Sequence, residues 1–127
     1  MNQVIIGLGS NIEPKKNIYE AFLHLSHEFL VTAKTAFTPT KAIGHKPQPD
    51  FINGCVLIET PLSQRELTHK LKKIELDMGR IRTADKYAPR VIDLDVIVWN
   101  DEIVDQDVYQ RDYLRKSVLE LKPTITF

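Results

Sequence analysis

The chain has 127 residues, in which 17 Lys and Arg balance 17 Asp and Glu. That length fits one hydrophobic core, burying about two-thirds of the unfolded surface, and the balance argues against a polyanion-binding surface spread over the molecule. The lone Cys55 excludes an internal disulfide, and no apolar run reaches the ~18 residues of a bilayer span. We expect one domain over residues 1–127 in a reducing cytoplasm, with no membrane or nucleic-acid partner; the apolar run starting at Val4 leaves no space for an export signal.

Val4 to Leu8 is β-branched and apolar and stops in Gly9-Ser10-Asn11, so it reads as a buried strand ended by a turn. Ile18, Phe22, Leu25 and Phe29 recur at steps of four, three and four, the stripe of an amphipathic helix entered through Pro14. Val31 to Ile43 reads as one strand, followed by a loop from Gly44 to Asp50. Phe51 to Thr60 is the next strand. Ser63-Gln64-Arg65-Glu66 has capping-box spacing, and Leu67, Leu71, Ile74 and Met78 continue a second helix that stops at Gly79. A basic loop, Arg80 to Arg90, leads into a strand from Val91 to Trp99, with a turn at Asn100-Asp101 and a short strand Glu102 to Val104. This order predicts an α+β, ferredoxin-like fold, a mainly antiparallel sheet with helices packed on one face. The segment after Val104 carries no clear pattern.

Period-two alternation sends Asp93 and Asp95 to one face and Ile92, Leu94, Val96 and Val98 to the other. Two adjacent carboxylates repel each other unless a cation or water compensates them, and hard oxygens with space for water suit Mg²⁺. A sheet face open to solvent accounts for the same pair. Arg80, Arg82, Lys86 and Arg90 precede the strand, either as a solvated loop or as forks for phosphate oxygens beside the carboxylates. Gly7 to Asn11 lacks the lysine and hydroxyl of a P-loop. His24, His27 and His69 have no second ligand at metal spacing, which leaves His45 as the histidine placed to meet a substrate, and Cys55 reads as core.

The segments Gly7-Leu8-Gly9-Ser10-Asn11, Gln48-Pro49-Asp50-Phe51-Ile52-Asn53, Glu75-Leu76-Asp77-Met78-Gly79-Arg80-Ile81-Arg82 and Tyr87-Ala88-Pro89-Arg90-Val91-Ile92-Asp93-Leu94-Asp95 resemble, in order and spacing, the motifs of the 6-hydroxymethyl-7,8-dihydropterin pyrophosphokinase family. The resemblance implies transfer of pyrophosphate from ATP to a pterin alcohol, with AMP released, in folate biosynthesis. It implies two Mg²⁺ ions on Asp93 and Asp95, with Arg80, Arg90 and Asp95 catalytic. It further implies a nucleotide site at Glu75, Arg80, Arg82, Arg90 and Arg115, and a pterin site at Thr40, Ile43, Phe51, Asn53 and Tyr87. We expect a monomer. Relatives carry an arginine followed two residues later by a phenylalanine that closes on the pterin. If Arg115 takes the arginine position, Ser117 stands where the aromatic should be, and Tyr113 is the open alternative. Two other readings remain at this stage. One is a shortened relative that binds nucleotide or pterin without efficient turnover. The other is an RNA-binding sheet using Lys34, Lys41, Arg80, Arg82 and Arg90, disfavoured by zero net charge and few exposed aromatics.

Overall fold

The computed structural model describes residues 1–41, 47–80 and 89–127. Of the residues singled out above, Ile43, His45, Arg82, Lys86 and Tyr87 lie outside them. The elements run β1 (Asn2–Ser10), α1 (Pro14–Glu28), β2 (Leu30–Lys34), β3 (Thr38–Thr40), β4 (Phe51–Thr60), α2 (Gln64–Asp77), β5 (Asp93–Trp99), β6 (Glu102–Ile103), a 3₁₀ turn (Gln106–Tyr109) and α3 (Asp112–Leu121). The sheet order is β2-β4-β1-β5-β6, with β3 also on β4, and every pairing is antiparallel. This is the expected ferredoxin-like α+β arrangement, with additions at one sheet edge and at the C-terminal end.

The α2 entry is the capping box read from sequence: the Ser63 hydroxyl accepts from the Glu66 amide at 3.1 Å, and the Glu66 carboxylate accepts from the Ser63 amide at 3.0 Å. Gly79, at φ 91°, takes the left-handed conformation just past the helix end. The stripes of α1 and α2 (Ile18, Ala21, Leu25; Leu67, Leu71, Ile74) pack with Val4, Ile6, Leu8, Val56, Ile58, Ile92 and Leu94 into one core. Each fully buried leucine there contributes about 1.5–3 kcal/mol of transfer free energy.

Three local readings change. The expected strand Val31 to Ile43 is broken between β2 and β3. The Thr35 amide donates to the Cys55 carbonyl at 2.9 Å and its hydroxyl accepts from the Cys55 amide at 3.0 Å, while Phe37 folds over Gly54, where any Cβ would collide with its ring. Gly9 and Ser10 belong to β1 rather than to a turn, paired with Asn53 and Ile52. The third concerns β5, whose register against β1 slips by one, Ile5 opposing Val98 and Ile6 opposing Val96. The bulged Ile97 turns its carbonyl to the amides of Val104 and Asp105, at 2.8 and 3.2 Å. As a result Val98 does not share a face with Ile92 and Leu94; it joins Ile5, Cys55, Ile97, Val108, Leu114 and Val118 in a second core. That core lies under α3, so α1 and α2 occupy one face of the sheet as expected and α3 covers part of the other.

Candidate active site

Beside α3 the second sheet face is not filled, and a cleft of about 460 Å³ opens there. Its floor follows from pairing: Gly7 lies opposite Asp95, and Gly9 opposite Asp93 on one side and Asn53 on the other. A Cβ on Gly7 would press on Ile97 at 3.1 Å, and one on Gly9 would sit 2.5 Å from the Asn53 side-chain oxygen. The glycines therefore leave height above the sheet between the aspartates and the amide. Thr40, Phe51, Asn53, Arg90, Asp93 and Asp95 all line this space. Asn53 donates to the Thr40 hydroxyl.

Asp93 is clamped. Its Oδ1 accepts from Arg80 at 2.8 Å and its Oδ2 from Arg90 at 3.0 Å. Burial works to raise its pKa, but Arg90 and then Arg80 outweigh it and hold the carboxyl below the usual range. Asp95, two residues on, has no arginine partner among the described residues. Burial first, and then the Asp93 charge, push it up to about 7, with Lys72 opposing at 3.8 Å. Its side chain is 44% exposed against 23% for Asp93.

Glu75 is 1% exposed and does not line the cleft. It lies along the open edge of β5, accepting from the Leu94 amide at 2.8 Å and from Arg80 at 2.7 Å. Arg80 also donates to the Ile92 carbonyl at 3.4 Å, so α2 covers the unpaired strand edge with polar side chains. Arg90 is held through its backbone: its amide donates to Asn11 Oδ1 at 2.7 Å and its carbonyl accepts from the Asn11 amide at 3.2 Å. Asn11 Nδ2 donates in turn to Gln48 at 2.6 Å, tying the Gly7 to Asn11 and Gln48 to Asn53 segments to the arginine.

Arg115 does not line the cleft. It donates to the Tyr109 carbonyl at 3.0 Å, approaches Asp112 at 3.9 Å and lies 6.0 Å from the centre of the Phe127 ring. Ser117 faces the sheet and hydrogen-bonds Cys55, whose thiol burial pushes up to about 12 against that bond. One turn earlier, Arg111 and Tyr113 line the cleft, with a hydrogen bond between their side chains. The rotation is set by Leu114 and Val118, the buried positions of α3. The arginine-x-aromatic spacing at 111 and 113 was the sequence signal for these two; Lys72, which opposes Asp95, left none.

Paired carboxylates at one end and an amide with aromatic walls at the other can take a metal-bound polyphosphate and a flat heterocycle. The donor set fits Mg²⁺: hard oxygens, one carboxylate under repulsion that a cation relieves, and open space for other ligands. Among the described residues no group of three or more His, Cys, Asp or Glu could hold a metal.

An antiparallel α+β sheet bearing a carboxylate pair and arginines at the head of a cleft is the apparatus of a phosphoryl-transferring enzyme. The family model described as 7,8-dihydro-6-hydroxymethylpterin-pyrophosphokinase matches residues 5–123, and the chain belongs to that family. Relatives named 2-amino-4-hydroxy-6-hydroxymethyldihydropteridine pyrophosphokinase include one from Haemophilus influenzae, 31% identical over 91% of this chain and 79% of its own length. One from Aquifex aeolicus is 30% identical over 98% of this chain and 83% of its own. One from Synechocystis is 39% identical over 80% of this chain and 53% of its own. Among the described residues no helix is long and apolar enough to cross a membrane.

Proposed function

We propose that the chain transfers pyrophosphate from ATP to the hydroxymethyl group of 6-hydroxymethyl-7,8-dihydropterin, releasing AMP, in folate biosynthesis. The observation that carries this is the two-ended cleft, with the Asp93-Asp95-Arg90 group at one end and Asn53, Thr40 and Phe51 at the other. Asn53 can donate and accept toward a pterin edge, and Phe51 supplies a flat wall. Arg111 and Tyr113 take the place of the family's closing arginine and aromatic, in preference to Arg115 and Ser117. By resemblance, Arg82 joins the phosphate end, and Ile43 and Tyr87 the pterin end. Cys55 as a free buried thiol is consistent with a reducing cytoplasm, and a monomer is part of the same proposal.

The hydroxymethyl oxygen bonds to the β-phosphorus while the bond from that phosphorus to the oxygen bridging the α-phosphate breaks. AMP leaves with the bridging oxygen, and the hydroxyl proton passes to water. Asp93 and Asp95 would hold Mg²⁺, two ions in the family's pattern, which supplies positive charge against that gathering on the phosphates. Arg90 adds charge from the cleft wall, and Arg80 and Glu75 hold Asp93 and the β5 edge in place. In-line positioning and electrostatic stabilisation are then the whole task of the protein.

The test is AMP release with ATP, Mg²⁺ and the pterin alcohol. AMP that requires the pterin and falls about a thousandfold in Asp95→Ala is the expected result, roughly 4 kcal/mol of transition-state stabilisation. Silence in the wild type, with ligands still bound, would leave a binding module.

A further inference from the structure

Among the described residues, Lys72 is the cation that faces Asp95. It belongs to α2, on the closed side of the sheet, yet its ammonium comes around the open edge of β5. There it lies 3.4 Å from Glu75 Oε1, 3.4 Å from the Leu94 carbonyl and 3.8 Å from Asp95 Oδ1. Among the described residues of this cluster, the carboxylates Glu75, Asp93 and Asp95 meet the cations Arg80, Arg90 and Lys72. The arginines are fixed by contacts of 2.7–3.0 Å. Lys72 differs: its contacts are all 3.4 Å or longer and its side chain is 36% exposed, so it is the one of the three cations able to withdraw on a flexible stem.

A bare divalent ion approaching Asp95 meets this ammonium and has to displace it, at the cost of like-charge repulsion and of a lost partner for Asp95 and Glu75. An ion arriving on a polyphosphate brings the remedy with it, because the displaced ammonium gains phosphate oxygens. Resting on the function proposed above, we propose that Lys72 couples metal binding to nucleotide binding: it keeps bare Mg²⁺ off Asp93 and Asp95 and moves to the phosphates when metal and nucleotide enter together.

The experiment is Mn²⁺ binding followed by electron paramagnetic resonance, with and without a non-hydrolysable ATP analogue, on wild type, Lys72→Met, Lys72→Gln and Lys72→Arg. In both uncharged variants the affinity for Mn²⁺ alone should rise roughly tenfold and the gain on adding the analogue should shrink, while Lys72→Arg should stay near wild type. Unchanged affinity for Mn²⁺ alone, or the same factor with and without the analogue, would overturn the role given to Lys72 and leave the catalytic reading intact. A wild type that binds no Mn²⁺ even with the analogue, and matches Asp95→Asn, would remove both. Two neutral variants of different shape, each checked by thermal melting, separate a charge effect from a folding defect.

Discussion

The two faces of the sheet solve opposite problems. Under α1 and α2 the pleat presents Val4, Ile6, Leu8, Val56 and Ile58, and the helices fill everything above them. Under α3 the same strands present Ile5 and Cys55, then Gly7, Gly9 and Asn53, and packing gives way to a cleft just where side chains shrink or become polar. A sheet can therefore keep one face for stability and use the other for chemistry, and the switch lies in which residues of β1 carry a side chain at all.

The largest expected effect on that contrast comes from the closed face. Leu71→Ala should cost about 3 kcal/mol in urea unfolding by opening a cavity beneath α2, while Mn²⁺ affinity in the presence of the ATP analogue stays unchanged for the folded fraction. A matching loss of ligand affinity would show that the faces are not independent. On the open face, Tyr113→Ala should weaken pterin binding about tenfold, near 1.4 kcal/mol, in the fraction that stays folded, with a smaller loss of unfolding free energy than Leu71→Ala because the ring only flanks the second core. Titration of pterin fluorescence reads this directly, and an unaltered affinity would return the missing wall to another residue.

The smallest effect is a pH dependence of the metal-free protein. Asp95, pushed up to about 7 by burial and then by Asp93, keeps its proton in the folded state at pH values where the unfolded chain has lost it. Stability should therefore fall as pH rises from about 4 to 7. Asp93, held low by Arg90 and Arg80 against its burial, works the other way, its contribution vanishing only as pH drops through its lowered folded value. Because Asp95 is partly exposed, its share is about 1 kcal/mol or less. Melting curves of Asp95→Asn should show the slope between pH 4 and 7 removed; an unaltered slope would assign it elsewhere.

Much of the closed face was legible, because amphipathic stripes and a capping box are local patterns: β4 has the expected ends, and α2 starts at its cap. The break between β2 and β3 was not, since it depends on a threonine bonding to a strand 20 residues away. At the site, the residues sharing the cleft rim were singled out by alternation for Asp93 and Asp95, by the basic loop for Arg90, and by the family resemblance alone for Asn53, Phe51 and Thr40. Glu75, expected near the nucleotide, sits on the edge of β5 beside Arg80 and Lys72, a position that sequence could not give because it carries no information on which side of α2 that edge runs. Arg111 and Arg115 are one helical turn apart, so choosing between them needs the rotation of α3, which its two buried residues fix only once the sheet is there. Lys72 reaches its partners around a strand edge, a path that no spacing rule describes.

The bulge at Ile97 shifts the phase of β5. Before it, odd positions look into the cleft and even ones into the closed core; after it, Val98 takes the second core and Trp99 packs against the first. The strand thus reads in two frames, and the single extra residue is the frameshift between them. Removing Ile97 would restore plain alternation and leave Val98 and Trp99 on their present faces, so what the extra residue adds is a second apolar side chain under α3 and a carbonyl turned to the amides of Val104 and Asp105, which fastens the C-terminal end to the strand that carries the acid pair.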